Sequence, residues 1–140
     1  MNFTRERVVV RAVRPEVAQG RFPAKAIAGT PVEVRADLLC DSHDVLGAVV
    51  RWKPEATRAW KESPLELDTN DSWVGSFVPP TLGRYRFTVE AWVDHLATWQ
   101  RDLATKADAG VATPVDLSIG IPLITALMDR AKPPARTRLE

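Results

Sequence analysis

Residues 83–94, Gly-Arg-Tyr-Arg-Phe-Thr-Val-Glu-Ala-Trp-Val-Asp, constrain the fold of this chain more than any other stretch. Tyr85, Phe87, Val89, Ala91 and Val93 alternate with Arg84, Arg86, Thr88, Glu90 and Asp94. Sustained alternation puts the apolar set on one face of an extended strand and does not fit the 3.6-residue period of a helix. Trp92 departs from the pattern as a large aromatic on the polar face. Something must cover it: a helix, a loop or a partner.

The rest of the first two-thirds reads the same way. Val8–Val13 is a short apolar run, ended by Arg14-Pro15, that could lead into the domain as a first strand. Gly20–Pro23 is a turn, and Gly29-Thr30-Pro31 separates Lys25–Ala28 from Val32–Leu39. In the latter, Val32, Val34, Ala36 and Leu38 oppose Glu33, Arg35 and Asp37, a strand with one wet face. Val45–Trp52 is apolar on both sides, as a central strand is, and Pro54 closes it. Residues 55–71 read as a polar connection anchored by Trp60, Leu65 and Leu67, with a hairpin turn at Asp68-Thr69-Asn70-Asp71. Trp73–Val78 carries Trp73, Gly75 and Phe77 on one face. Short strands with turn punctuation predict a sandwich rather than βαβ units. The Gly83-Arg84-Tyr85 entry matches the tyrosine corner of such sandwiches. The expected class is mainly β, an immunoglobulin-like antiparallel β-sandwich with a C-terminal helical appendage.

After Asp94 the period changes. Leu96, Trp99 and Leu103 are spaced for a helix, ended at Asp108-Ala109-Gly110 with glycine in the left-handed cap. A second helix is expected from near Pro122, since proline suits a first turn. Leu123, Ile124, Leu127 and Met128 would form its buried stripe, and Lys132-Pro133-Pro134 would stop it. The expected organisation is a lead-in at 1–17, the sandwich at 18–95, the helical appendage at 96–131, and a loose or vector-derived end at 132–140.

Composition removes several function classes. Lys and Arg number 19 against 18 Asp and Glu, and no basic stripe appears, so a nucleic-acid partner is not expected. No apolar run is long enough to span a bilayer, so no membrane partner is expected. Residues 1–7 lack the apolar stretch of a signal peptide. The single cysteine, Cys40, rules out an internal disulfide framework. Together these predict a cytoplasmic protein.

Candidates for chemistry are few. Cys40-Asp41-Ser42-His43-Asp44 gathers metal-capable side chains, and a small enzyme using Asp41, His43 and Asp44 with a metal is one reading. Adjacent loop residues point apart, however, and no second cluster completes a tetrahedral site. A turn held by local side-chain bonds is the simpler reading. Cys40, at a strand end, reads as a small buried residue. The chain has no Gly-x-Ser-x-Gly elbow and no glycine-rich phosphate loop. No catalytic, cofactor-binding or metal residue is therefore expected, and no cofactor. The five tryptophans against one tyrosine are more telling. Tryptophan stacks on sugars and is enriched at protein interfaces. Trp92, Trp99, Trp60 and Trp73 are the candidate interface or sugar-contact residues.

Several motifs occur in a set order: Gly20-Arg21-Phe22-Pro23-Ala24-Lys25, Asp41-Ser42-His43-Asp44, Asp71-Ser72-Trp73, Gly83–Asp94 and Thr98-Trp99. Across residues 18–131 the chain resembles the N-terminal domain of bacterial α-1,4-glucan:maltose-1-phosphate maltosyltransferases of the α-amylase clan. Ser42 stands where that family usually has glycine. The resemblance implies a parent enzyme that transfers maltosyl units from maltose 1-phosphate to α-1,4-glucan with retention. It places catalysis in a downstream (β/α)₈ barrel, which takes about 250 residues. It further implies an immunoglobulin-like, non-catalytic domain that helps form a homodimer. Expected partners are the downstream barrel of the same chain and a second copy, with α-1,4-glucan the alternative.

Overall fold

Among the described residues six strands form, five of them where the sequence alternates or runs apolar, and two helices follow. The structure, a computed structural model, describes residues 8–131. The strands are β1 (Val8–Arg14), β2 (Val32–Cys40), β3 (Leu46–Pro54), β4 (Lys61–Thr69), β5 (Ser72–Phe77) and β6 (Tyr85–Val93); the helices are α1 (His95–Asp108) and α2 (Pro114–Arg130). All ladders are antiparallel, in the order β1-β2-β5-β4-β3-β6. The chain divides into two compact units at Val93/Asp94.

In the β unit, period two becomes a core. Val34, Ala36 and Leu38 of β2 and Ala48, Val50 and Trp52 of β3 are all buried, with Leu65, Phe77 and Val89. Each fully buried valine or leucine contributes about 1.5–3 kcal/mol. Trp52 stacks on Phe77 with ring centres 5.0 Å apart, and Tyr85 and Phe87 extend the group. The Tyr85 hydroxyl donates to the Thr81 carbonyl at 3.1 Å and accepts from the Thr81 amide at 3.3 Å. This fixes the turn before β6, as the Gly83-Arg84-Tyr85 signal predicts. Trp92 stands on the outer face, as the alternation requires.

β4 lies in the stretch that reads as a polar connection. Its residues are mostly charged or polar, and Pro64 interrupts them, so neither pattern is visible. Pairing makes the strand: Lys61–Pro64 bond to β3 and Leu65–Thr69 to β5. Leu65 enters the core while Leu67 is 57% exposed, and the register with β5 shifts just beyond it, between Leu67 and Thr69. Residues 25–28, by contrast, form no strand. Cys40 is only half-buried rather than buried, since it sits where β2 leaves the sheet.

In the helical unit, α1 begins at Asp94, whose carboxylate accepts from the Ala97 amide at 2.9 Å. It ends before Gly110, at φ 70°, as expected. The start expected for α2 near Pro122 is wrong. A capping box sets the start at Thr113: the Thr113 hydroxyl faces the Asp116 amide, and the Asp116 carboxylate accepts the Thr113 amide at 2.9 Å. Pro114 takes the first turn, and Pro122 lies inside the helix. The expected buried stripe holds for Leu123, Ile124 and Met128, which are half-buried, but not for Leu127, which is exposed. The expected end at 132–140 lies outside the described residues.

Gly75 of β5 sits where β4 crosses it. A Cβ there would come within 2.5 Å of the Pro64 carbonyl oxygen, a backbone atom that cannot swing aside. A Cβ at Gly47 would meet only the ring of Trp92, which is 44% exposed and can move. Gly75→Ala is expected to cost about 1–3 kcal/mol of stability, and Gly47→Ala distinctly less. Urea unfolding of the two variants checks this ranking, and equal midpoints would refute it.

Candidate functional site

In the helical unit α1 is polar along its length, whereas α2 is mostly apolar. α2 reads Pro-Val-Asp-Leu-Ser-Ile-Gly-Ile-Pro-Leu-Ile-Thr-Ala-Leu-Met-Asp-Arg. A helix this apolar on all sides is normally buried. Here Gly120 is its one buried residue, and Val115, Leu117, Ile119 and Ile121 are each more than half exposed.

Trp99 of α1 joins the two helices. Its indole N–H donates to the Asp116 carbonyl at 2.7 Å. Its ring lies against Gly120, where a Cβ would come within 2.2 Å of the ring carbons. Glycine is needed there because any side chain would occupy the space of the indole. Lys106 of α1 pairs with the Asp116 carboxylate, which also accepts from Thr113. The Lys106 ammonium, and then the Thr113 donors, hold the Asp116 carboxyl down at about 2. Asp116 thus serves three partners, from its own cap and from the opposite helix.

In the β unit the other tryptophans take separate places. Trp92 pairs across the ladder with Gly47, and its ring lies over that glycine. Trp73 is half-buried against the core. Trp60 is partly exposed, with the Arg51 guanidinium 5.6 Å and the Lys53 ammonium 5.2 Å from its ring centre. Nearby, Arg86 donates to Glu55 at 2.9 Å and 3.2 Å, which lowers the Glu55 carboxyl below its ordinary range. Lys53, Glu55, Trp60 and Arg86 all line a concavity of about 1160 Å³ that runs along β6. The four candidate tryptophans therefore form no single cluster: three are spread over the β unit and Trp99 is in the helical unit.

The 41–44 loop is a local structure. Ser42 Oγ donates to Asp44 at 2.6 Å, lies 3.2 Å from Cys40 Sγ, and accepts the Asp44 amide at 3.4 Å. Among the described residues, no three His, Cys, Asp or Glu side chains come together as a metal site. No helix among them is long and apolar enough to cross a membrane. The Trp99–Gly120 contact is absent from the sequence reading. Its signal was a lone glycine inside an apolar helical run, which is ambiguous until a partner helix is known.

A family model described as "Alpha-1,4-glucan:maltose-1-phosphate maltosyltransferase, domain N/S" matches residues 6–140. Curated relatives carry the name alpha-1,4-glucan:maltose-1-phosphate maltosyltransferase. The chain is 38% identical over 129 residues to one from Myxococcus xanthus, covering 89% of this chain and 19% of the relative. It is 38% identical over 128 residues to one from Chlorobaculum tepidum, covering 91% and 19%. For one from Pseudomonas aeruginosa the identity is 32% over 127 residues, covering 91% and 19%. The chain thus spans about one fifth of the length of these relatives.

Asp116 gives the helical unit a pH dependence. Its carboxyl is depressed in the folded state relative to about 3.9 unfolded. A depressed carboxyl stabilises fully above the unfolded value and loses that contribution as pH falls through the folded one. Helicity of α1 and α2 should hold above about pH 4 and weaken toward pH 2. Asp116→Asn should remove this dependence. Carboxyl NMR shifts and far-ultraviolet circular dichroism test it, and an Asp116 midpoint near 4 would contradict it.

Proposed function

Because the chain belongs to the family of α-1,4-glucan:maltose-1-phosphate maltosyltransferases and matches their domain N/S, we propose that it is a non-catalytic assembly domain of a longer enzyme. That enzyme would transfer maltosyl units from maltose 1-phosphate onto α-1,4-glucan, with retention, in a barrel elsewhere in the chain. It would work in the cytoplasm as a homodimer.

One observation carries the assembly reading: the apolar surface of α2. Val115 and Ile119 lie on one flank of α2 and Leu117 and Ile121 on the other, all more than half exposed, so the helix offers apolar surface on both sides of its contact with α1. Trp99 and Gly120 lock α1 against α2, so this surface is presented on a rigid pair. Burial against a second copy would remove it from water, at about 25 cal/mol per Å². Trp99 then supports the interface from inside the pair, and Trp92 is a further contact candidate on the β unit.

The β unit is read as immunoglobulin-like. Its order β1-β2-β5-β4 followed by β3-β6 corresponds to A-B-E-D and C-F of that fold. The buried Trp52 on the third strand and the Tyr85–Thr81 corner before the sixth are two of its hallmarks. A second functional reading, α-glucan binding, is favoured by the partly exposed Trp60 ring beside Glu55 and Arg86. Calorimetric titration with maltoheptaose decides it, and no heat at millimolar sugar removes it.

Leu117→Asp and Ile119→Asp in the full-length parent test the assembly reading. Light scattering should give the monomer mass for at least one of these two variants, which sit on opposite flanks of α2, and the dimer mass for the natural protein. The β unit should keep its unfolding transition. Dimers that persist in both variants would sink the proposal.

A further inference from the structure

α2 is one continuous helix with two unlike halves. Residues 114–120 are tied to α1 by polar groups of fixed direction. Lys106 pairs with the Asp116 carboxylate, and the Trp99 indole donates to the Asp116 carbonyl at 2.7 Å while its ring packs on Gly120. The capping box at Thr113 closes the same half at its start. Residues 121–130 have no such tie: among the described residues, no hydrogen bond or ion pair joins them to α1. Leu123, Ile124 and Met128 are half-buried there, and apolar packing has no fixed direction.

The two halves meet where the helix is weakest. Pro122 has no N–H, so the Ser118 carbonyl lacks its helical partner, and the proline ring crowds that carbonyl. Proline also disfavours helical backbone at Ile121, the residue before it. Gly120 must stay glycine because Trp99 fills the space of a side chain, and glycine inside a helix weakens it. Ser118 Oγ donates to the Val115 carbonyl at 2.7 Å, and Thr125 Oγ1 to the Ile121 carbonyl at 2.9 Å. Side-chain bonds of this kind, back to the preceding turn, favour bending. Ser118, Gly120 and Pro122 thus place helix-weakening groups at alternate positions, and such groups are where helices kink.

We propose that residues 118–122 are a hinge that divides α2 into a fixed docking half and a movable arm at 123–130. What the fixed half docks with rests on the assembly reading. Val115, Leu117, Ile119 and Ile121, on which that reading depends, all precede Pro122. The clamp of Trp99 and Lys106 holds them in place while the arm changes its angle. Movement of the arm disturbs only the packing of Leu123, Ile124 and Met128 and breaks no hydrogen bond between the helices. The hinge therefore lets the chain after α2 change direction without disturbing the docked surface.

Amide hydrogen exchange along α2 in the 140-residue chain tests the hinge. The amides of residues 123–125 bond across it, whereas those of residues 127–129 bond within the arm. A hinge should give an exchange maximum at 123–125, about tenfold or more above both 118–120 and 127–129. Pro122→Ala restores a donor for the Ser118 carbonyl and should remove that maximum. A steady rise toward residue 130 would mean ordinary fraying of a helix end and would overturn the proposal. An even rate along the helix, or a maximum that survives Pro122→Ala, would overturn it too. Light scattering on the parent keeps the two readings apart. A monomeric parent whose α2 shows the maximum loses the docking role and keeps the hinge, and a dimeric parent without the maximum loses the hinge alone.

Discussion

The stack of Trp52 on Phe77 is the contact on which the β unit depends. Trp52 belongs to β3 and Phe77 to β5, strands that do not pair with each other. Their rings meet across the core although β4 lies between the two strands in the hydrogen-bonded series. Tyr85 and Phe87 add β6 to the same group. An aromatic pair of this kind contributes about 0.5–1.5 kcal/mol beyond its burial. Its larger effect is geometric. It fixes how the sheet folds over on itself, and so where β1 and β6 face one another across the concavity.

The helical unit uses the same device on a smaller scale. One indole, Trp99, replaces a hydrophobic core, and a single glycine makes room for it. So little internal burial leaves most of the apolar side chains of α2 outside. That imbalance is the physical basis of the assembly reading, since a free helix pair would not keep such a surface in water. Asp116 supplies the polar counterpart by joining the cap of α2 to Lys106 of α1.

Much of this was legible in the residues because it is local. Alternation in 83–94 and 32–38 located β6 and β2 and their inward faces. Gly83-Arg84-Tyr85 marked the corner, and Asp108-Ala109-Gly110 marked the end of α1. β4 was not legible, because its pairing with two different strands, rather than its own polar residues, makes it extended. The start of α2 was misplaced for another reason. Two prolines competed for the first turn, and the capping box at Thr113 and Asp116 outweighs the preference of Pro122. Among the candidate site residues, the sequence supplied the tryptophans but not their surroundings.

The sequence by itself determined which residues face inward along the alternating strands and which family the chain belongs to. Both follow from order along the chain: side-chain period in one case, motif succession in the other. Tertiary structure alone decided which tryptophan packs against which glycine and which apolar helix surface stays uncovered. Those depend on contacts between residues far apart in the chain, such as Trp99 with Gly120 and Gly47 with Trp92. No local pattern encodes the distance between them.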